Sequence, residues 1–273
     1  MNLLEYIADV EQEMMLKEYL PTLGLSVTLI KKIKRAGIFV DGVPCTVRAK
    51  IKLGSKITLC LPEEKSEGIP PIEIPLNIVY EDECILVVDK PTNMPTHPSR
   101  GNNLPTLANA VMAKFNGDFV FRSITRLDRD TSGLVLIAKN ANTANRLSQE
   151  LKQGRVYKRY EALVCGIPEK EHDVIEAPIR REEEGSMKRI VAPDGKTAIT
   201  EYFIKEIRDG NALCDVILHT GRTHQIRVHF AHIGHPLLGD HLYGERRDEG
   251  YYLKCRELRF KHPQSGEVLT ITV

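Results

Sequence analysis

Most of this chain is written in short apolar runs between turn residues, with a helical period in five places. The first, "MLKEYLPTLG", reads as a short helix stopped near Gly24. The second, "VTLIKKIKRAG", has Ser26 as its candidate cap, an apolar stripe of Leu29, Ile30 and Ile33, and an end at Gly37. Three more follow. "TLANAVMAKFNG" takes Thr106 as cap, "ANTANRLSQELKQG" ends at Gly154, and "THQIRVHFAHIGHP" takes Thr223 as cap and Gly234 and Pro236 as its stop. Strand-like runs lie in "NIVYEDECILVVDKP", "VYKRYEALVCG", "TAITEYFIKEI" and "NALCDVILHTG". In "IFVDGVP" the Asp41-Gly42 step signals a hairpin, and "IKLGSKITLCL" reads as a further strand pair. The opening "LLEYIADV" suits a helix or a strand. No regular βαβ alternation and no internal repeat is present. The pattern therefore predicts an α+β fold: a mixed, largely antiparallel central sheet with flanking helices, plus a small N-terminal α/β module.

The proline-rich stretch "LPEEKSEGIPPIEIP" favours extended chain over helix, which places a linker at 63–76 between units at 1–62 and 77–273. Charge sharpens this division. The whole chain carries 38 basic and 37 acidic residues, formally +1, which by itself marks no nucleic-acid binder. From Met14 to Cys60, however, nine Lys/Arg face two acids. Lys31, Lys32, Lys34 and Arg35 on the second helix, with "RAKIK" nearby, form a candidate surface for a phosphate backbone. Six cysteines are scattered without a Cys-x-x-Cys pair and read as reduced core thiols. The N-terminus is acidic where a signal peptide would be basic, and no apolar run nears the roughly 18 residues of a membrane span. A soluble, cytoplasmic protein is expected.

Candidate chemistry gathers in three clusters. "SITRLDRDTSGLVLIAK" sets Asp128 between Arg126 and Arg129, with Asp130 close behind. Were Arg126 to Asp130 extended, Arg126, Asp128 and Asp130 would share one face. Two carboxylates two residues apart would then stand about 7 Å from each other, within the roughly 6.5–9.5 Å of inverting glycosidases. A single carboxylate acting at a glycosidic carbon fits as well. The second cluster, "HTGRTHQIRVHFAHIGHPLLGDHLYG", holds six of the nine histidines. His229 and His232 are an i, i+3 pair, but no HExxH, no cysteine pair and no third ligand accompanies them, so no metal is expected. Arg227 lies one turn from His224 and is able to reach a carboxylate, while Arg222 precedes the helix. In the third, "YKRYEALVCG", Tyr157 and Tyr160 interleave with Lys158 and Arg159, a pattern suited to base stacking with phosphate contact and equally to a core strand.

Together these clusters, with "YEDECILVVDKPTNMPTHP" and "GKTAITEYF", resemble the RluA-type RNA pseudouridine synthases from about Tyr80 to Pro263. Residues 14–60 resemble the S-four-type RNA-binding domain in layout. Two positions depart from the family pattern: Thr125 stands where histidine is frequent before "RLD", and Thr92-Asn93 where a small residue and glycine are usual. The resemblance implies isomerisation of specific uridines in ribosomal or transfer RNA. It makes Asp128 the catalytic aspartate and Arg227, ahead of Arg222, the basic residue paired with it. Arg126 would fill the space left by an extruded uridine, and Tyr160 would stack on its uracil. RNA is the implied partner, no cofactor is needed, and a monomer is expected. Two other classes fit the residues alone: a nucleosidase or glycosidase-like hydrolase using Asp128 and Asp130, and a non-catalytic ribosome assembly factor.

Overall fold

The computed structural model describes residues 2–25, 27–61, 68–98, 105–245 and 250–273. Ser26, the expected cap, lies outside them. β1 (Asn2–Ile7) resolves the ambiguous opening as a strand. β2 (Met14–Met15) leads into α1 (Leu16–Tyr19), which tightens into a 3-10 turn over Leu20–Leu23 and stops at Gly24 with φ 72°. α2 (Val27–Ala36), β3 (Ile38–Val40), β4 (Val43–Cys45), β5 (Lys50–Ile51) and β6 (Lys56–Leu61) complete this part. Asp41 and Gly42 both have positive φ, 50° and 79°, as a tight hairpin turn requires. β5 and β6 are not partners, contrary to the strand pair expected. β5 pairs with β2, and β6 lies between β1 and β3 in the order β1-β6-β3-β4. The turn between them hydrogen-bonds to Ala8 instead, through Ser55 O and Gly54 N–H at 2.9 Å each. Leu16, Leu20, Leu29, Ile33, Ile57 and Leu59 form a buried cluster here, and Lys31, Lys32, Lys34 and Arg35 lie on the exposed side of α2.

The rest of the chain builds a second, larger core. β7 (Ile78–Glu81) and β8 (Ile85–Lys90) form a hairpin, followed by α3 (Leu107–Lys114), β9 (Ser132–Ala138), α4 (Ala141–Lys152) and β10 (Tyr157–Val164). β11 (His172–Glu176), the hairpin of β12 (Ile179–Arg181) and β13 (Arg189–Val191), β14 (Ile199–Arg208) and β15 (Asn211–Leu218) come next. α5 (Gln225–His232), β16 (Leu253–Lys261) and β17 (Val268–Thr272) close the chain. Thr106 caps α3, accepting the Asn109 N–H at 3.3 Å, and Gly154 ends the turn after α4 with φ 72°. Before β7, Ile69, Ile74 and Leu76 pack on this core, and Asn109 donates to Pro70 O at 2.8 Å. Among the described residues no helix is long and apolar enough to cross a membrane.

Nine strands join in one sheet, in the order β11-β14-β15-β10-β16-β9-β8-β7, with β17 beside β16. Among the described residues its pairings are antiparallel except that of β9 with β16. This is the α+β, largely antiparallel architecture that the alternation predicts. The parallel contact explains the glycine of "TSG". A Cβ on Gly133, at φ 106°, would lie 2.3 Å from Cys255 O, so only a glycine lets β16 pass.

Candidate active site

The "RLDRD" stretch is not extended, so Arg126, Asp128 and Asp130 do not share a strand face. Ile124 N–H donates to Leu136 O at 2.8 Å and Leu136 N–H to Thr125 Oγ1 at 2.9 Å, which lays the entry beside β9. Beyond Asp128 the chain turns, and Thr131 N–H reaches back to Asp128 O at 3.2 Å. Asp130 is consumed locally, accepting from Arg129 at 2.8 and 2.9 Å. The cause of the turn is the facing loop. Thr96 Oγ1 donates to Leu127 O at 2.8 Å and accepts its N–H at 3.2 Å, while Met94 N–H donates to Arg129 O at 3.0 Å. Beneath both loops Lys90, fully buried, donates to Pro91 O, Met94 O and Arg129 O at 2.8, 2.7 and 3.1 Å. Burial pushes this ammonium down to about 8, against the pull of Asp130, Asp128 and Asp89. Three N–H donors meet three carbonyls, which ties Asp128's loop to the core. Asn93, standing where glycine is usual, has φ 58°, a conformation asparagine tolerates.

α5 begins one residue later than expected. Its N-cap is His224, not Thr223, and His224 itself is left-handed at φ 58° without a side-chain cap. Buried Gln225 explains the shift: its Oε1 accepts from Thr220 Oγ1 at 2.8 Å and Arg222 N–H at 2.9 Å, fixing the loop before the helix. His224 Nε2 stands 3.8 Å from Asp128 Oδ2, and Nδ1 lies 2.8 Å from the Tyr243 hydroxyl. That hydroxyl accepts the Arg189 N–H at 2.8 Å and has one proton to give. Given to Nδ1, it places the imidazole proton on Nε2, toward Asp128. Burial holds the His224 pKa below its ordinary 6.5, with Asp128 opposing, so the ring is neutral at pH 7.

Arg227 Nη1 is 3.7 Å from Asp128 Oδ2, an ion pair without a hydrogen bond. Its principal partner is another carboxylate, Asp240, which is fully buried and accepts from Nε and Nη2 at 2.6 Å each. The rings of Tyr243 and Tyr251 lie 5.0 and 4.6 Å from the guanidinium. Asp128 itself is 31% exposed, and among the described residues its carboxylate accepts no hydrogen bond. Arg222 is spent elsewhere, its Nε donating to Thr197 O at 2.9 Å.

These groups open on a cleft of about 900 Å³, lined among others by Arg126, Asp128, Lys158, Tyr160, Arg227 and Leu253. Tyr160 and Lys158 come from the same face of β10 and are both nearly buried. Tyr160 and Cys255 are direct neighbours across the β10–β16 pair, while the Cys255 thiol points to Glu257 O at 4.0 Å. Burial first, then the neighbouring Cys255, raises the phenol well above its ordinary range. Arg126 is exposed at the rim. Lys158, whose pKa burial lowers, belongs to the Tyr157–Tyr160 cluster noted in the sequence, whereas Asp240, Tyr243 and Tyr251 were not singled out there. The run "GDHLYG" was the available signal for Asp240 and Tyr243. The histidine pair has a bland role: His229 uses Nδ1 on Thr200 Oγ1 and Nε2 on Ala177 O, both at 2.9 Å, while His232 is exposed.

A carboxylate stands in a cleft on one face of a mixed sheet, and comparison with known proteins identifies the class of protein to which this arrangement belongs. The family described as RNA pseudouridylate synthase matches residues 84–232. An uncharacterized RNA pseudouridine synthase of Bacillus subtilis (strain 168), YjbO, is 38% identical over 262 residues, 93% of each chain. The ribosomal large subunit pseudouridine synthase D of Pasteurella multocida (strain Pm70) is 37% identical over 241 residues, 81% of this chain and 74% of that one. The solved human RNA pseudouridylate synthase domain containing 1 superposes with TM-score 0.61 at 30% identity, over 73% of this chain and 83% of its own. The chain belongs to the RNA pseudouridylate synthase family. Its reaction is the isomerisation of uridine to pseudouridine in RNA.

Proposed function

We propose that Asp128 is the catalytic carboxylate of this isomerisation and that large-subunit ribosomal RNA is the substrate. One observation carries the first part: Asp128 is the cleft carboxylate with free lone pairs, flanked by an arginine and a neutral histidine at 3.7 and 3.8 Å. The second rests on relatives 36–38% identical that are named ribosomal large subunit pseudouridine synthase D.

The target uridine must leave its stack to bring its glycosidic bond to the cleft. Arg126, exposed at the rim, fills the vacated position, and the ring of Tyr160 receives the uracil. Asp128 then assists cleavage of the bond between C1′ and N1, by attack at C1′ or by taking the C2′ proton. The uracil turns and C5 joins C1′, displacing the carboxylate on the first route or with Asp128 returning the proton to C2′ on the second. The C5 proton then leaves to solvent and N1 takes one up. Arg227 holds its positive charge beside the carboxylate throughout, fixed in place by Asp240. Asp130, tied to Arg129, supports the turn; this argues against a two-carboxylate hydrolase.

Residues 1–62 act as an S-four-type RNA-binding unit in this reading. Lys17, Lys50 and Lys56 are ion-paired with Glu18, Glu13 and Glu5, while the basic residues of α2 remain exposed. Charge reversal of Lys31, Lys32 and Lys34 to Glu should weaken RNA binding and flatten its salt dependence by about 0.7–0.9 per lost phosphate contact. An unchanged slope removes α2 from the interface. A monomeric active form belongs to this proposal, to be checked by sedimentation.

Tritium release from large-subunit ribosomal RNA labelled at uridine C5 tests the whole reading. Released tritium with an intact chain is the expected result. Free uracil would indicate a hydrolase, and neither product a binding protein.

A further inference from the structure

We propose that a second groove, continuous with the catalytic cleft around the rim of the sheet, holds a nucleotide flanking the target uridine. The groove has about 600 Å³ and is lined by Tyr157, Arg155, Arg259 and Lys261. It shares Gly154, Val156, Leu218 and His219 with the cleft, so the two form one track. Tyr157 precedes Lys158 on β10 and therefore points to the opposite face from Lys158 and Tyr160. A strand leaving the cleft meets it by passing over the strand ends. This inference rests on the chain acting on RNA.

The chemistry of the groove suits one nucleotide and its phosphate. Tyr157 and Arg259 are direct neighbours across the β10–β16 ladder, and the guanidinium lies 4.6 Å from the ring centroid. Such a pair presents a flat cationic layer on which a base of any identity stacks. Arg259 and Lys261 stand two apart on β16, hence on one side of it. Among the described residues neither forms an ion pair, whereas Arg155 is neutralised by Glu150. Two unpaired cations beside a stacked aromatic ring have charge left for a phosphate. An aliphatic or acidic ligand would leave the aromatic layer or the charge unused.

The test uses the full chain and large-subunit ribosomal RNA transcribed in vitro with 4-thiouridine. On irradiation of the wild-type complex, a crosslink should map to the peptide bearing Tyr157 or to residues 259–261. Tyr157→Ala and Arg259→Glu should each raise KM for tritium release about fivefold to a hundredfold, the range expected for one stacked base. The penalty should vanish on a transcript trimmed on the flanking side, because wild type then loses the same contact. A crosslink map avoiding this groove, or variants with wild-type KM on the long transcript, overturns the proposal. So does competition by polyglutamate as strong as by RNA, which would assign the groove to an acidic protein. Should a variant unfold, the wild-type crosslink decides. Wild-type protein that crosslinks here but releases no tritium refutes the substrate reading and leaves the groove an RNA site.

Discussion

Two carboxylates on opposite sides of the large sheet are treated in opposite ways. Glu161, next to Tyr160 on β10 but facing the other side, is 7% exposed and accepts from Lys205 at 2.6 Å, Arg256 at 2.6 Å and Tyr252 at 2.9 Å. It is the centre of a ladder of ion pairs that includes Arg159 with Asp215 and Glu257, and Lys254 with Asp89. Asp128, on the cleft side, has cationic or N–H-bearing neighbours no nearer than 3.7 Å and accepts no hydrogen bond among the described residues. The difference teaches how the fold separates stability from chemistry. A carboxylate whose lone pairs are all occupied stabilises; one whose lone pairs are free is able to react. The rigidity that Asp128 lacks in its own contacts is supplied by what surrounds it: Lys90 under its loop, and Arg227 held by Asp240 and two tyrosine rings.

The sharpest break in that comparison is Asp128→Asn. Loss of isomerisation by ten-thousandfold or more is expected, the scale seen when an essential catalytic group is removed. Stability should stay within about 0.5 kcal/mol of wild type, because no hydrogen bond is lost and Arg227 keeps Asp240. Tritium release beside thermal unfolding checks both halves. A large fall in Tm would mean that Asp128 is structural, like Glu161. Asp240→Asn should behave conversely. It strips a buried guanidinium of its counter-charge, which costs about 3–5 kcal/mol, or roughly 6–20 °C in Tm. An Asp240→Asn protein as stable as wild type would show that the tyrosine rings and the more distant Asp128 suffice to hold Arg227.

Much of this arrangement is legible in the chain, for identifiable reasons. Alternation and turn signals locate β7, β8, β10, β14 and β15 with α3, α4 and the body of α5, because local signals agree with tertiary burial there. By contrast, β11, β12, β13, β16 and β17 are not among the expected strands. The crowding of Asp128 between two arginines, with "TSG" behind it, marks the loop. What local pattern does not reveal is set from far away. The turn at Arg129-Asp130 is imposed by Thr96 and Lys90, more than thirty residues earlier, so reading the stretch as extended chain fails. The late start of α5 follows from Gln225 binding back to Thr220 and to Ile199 O. The parallel pairing of β9 with β16 leaves a single trace in the sequence, Gly133, whose need for φ 106° only the pairing explains.

The next prediction sharpens the other side of the comparison. Burial pushes Glu161 up, but hydrogen bonds from Lys205, Arg256 and Tyr252 outweigh it and hold the carboxyl at about 2, below the ordinary 4.5. In the unfolded chain it binds protons more readily, so its contribution is complete above pH 4.5 and is lost as pH falls toward 2. At ~1.36 kcal/mol for each pH unit, that contribution is about 3 kcal/mol. Glu161→Gln should therefore lower stability by about that amount at pH 7, and the gap to wild type should close between pH 4.5 and 2. Urea unfolding at a series of pH values measures it. A gap that stays constant with pH would mean that the ion pairs around Glu161 contribute nothing.

The smallest expected effect concerns Tyr160, which lines the cleft and stands opposite Cys255 on β16. Burial holds this phenol well above its ordinary range, so the hydroxyl stays protonated at neutral pH. The ring is what uracil would use, worth roughly 1–3 kcal/mol of stacking. Tyr160→Phe keeps that ring and removes only the hydroxyl, so little stability is lost, about 0.5 kcal/mol or less. Tritium release by Tyr160→Phe should thus stay within about threefold of wild type, while Tyr160→Leu, apolar but smaller and without a π face, should lose about one to two orders of magnitude. The order of the two variants decides the matter. Were Tyr160→Phe as inactive as Tyr160→Leu while melting normally, the hydroxyl would belong to the chemistry.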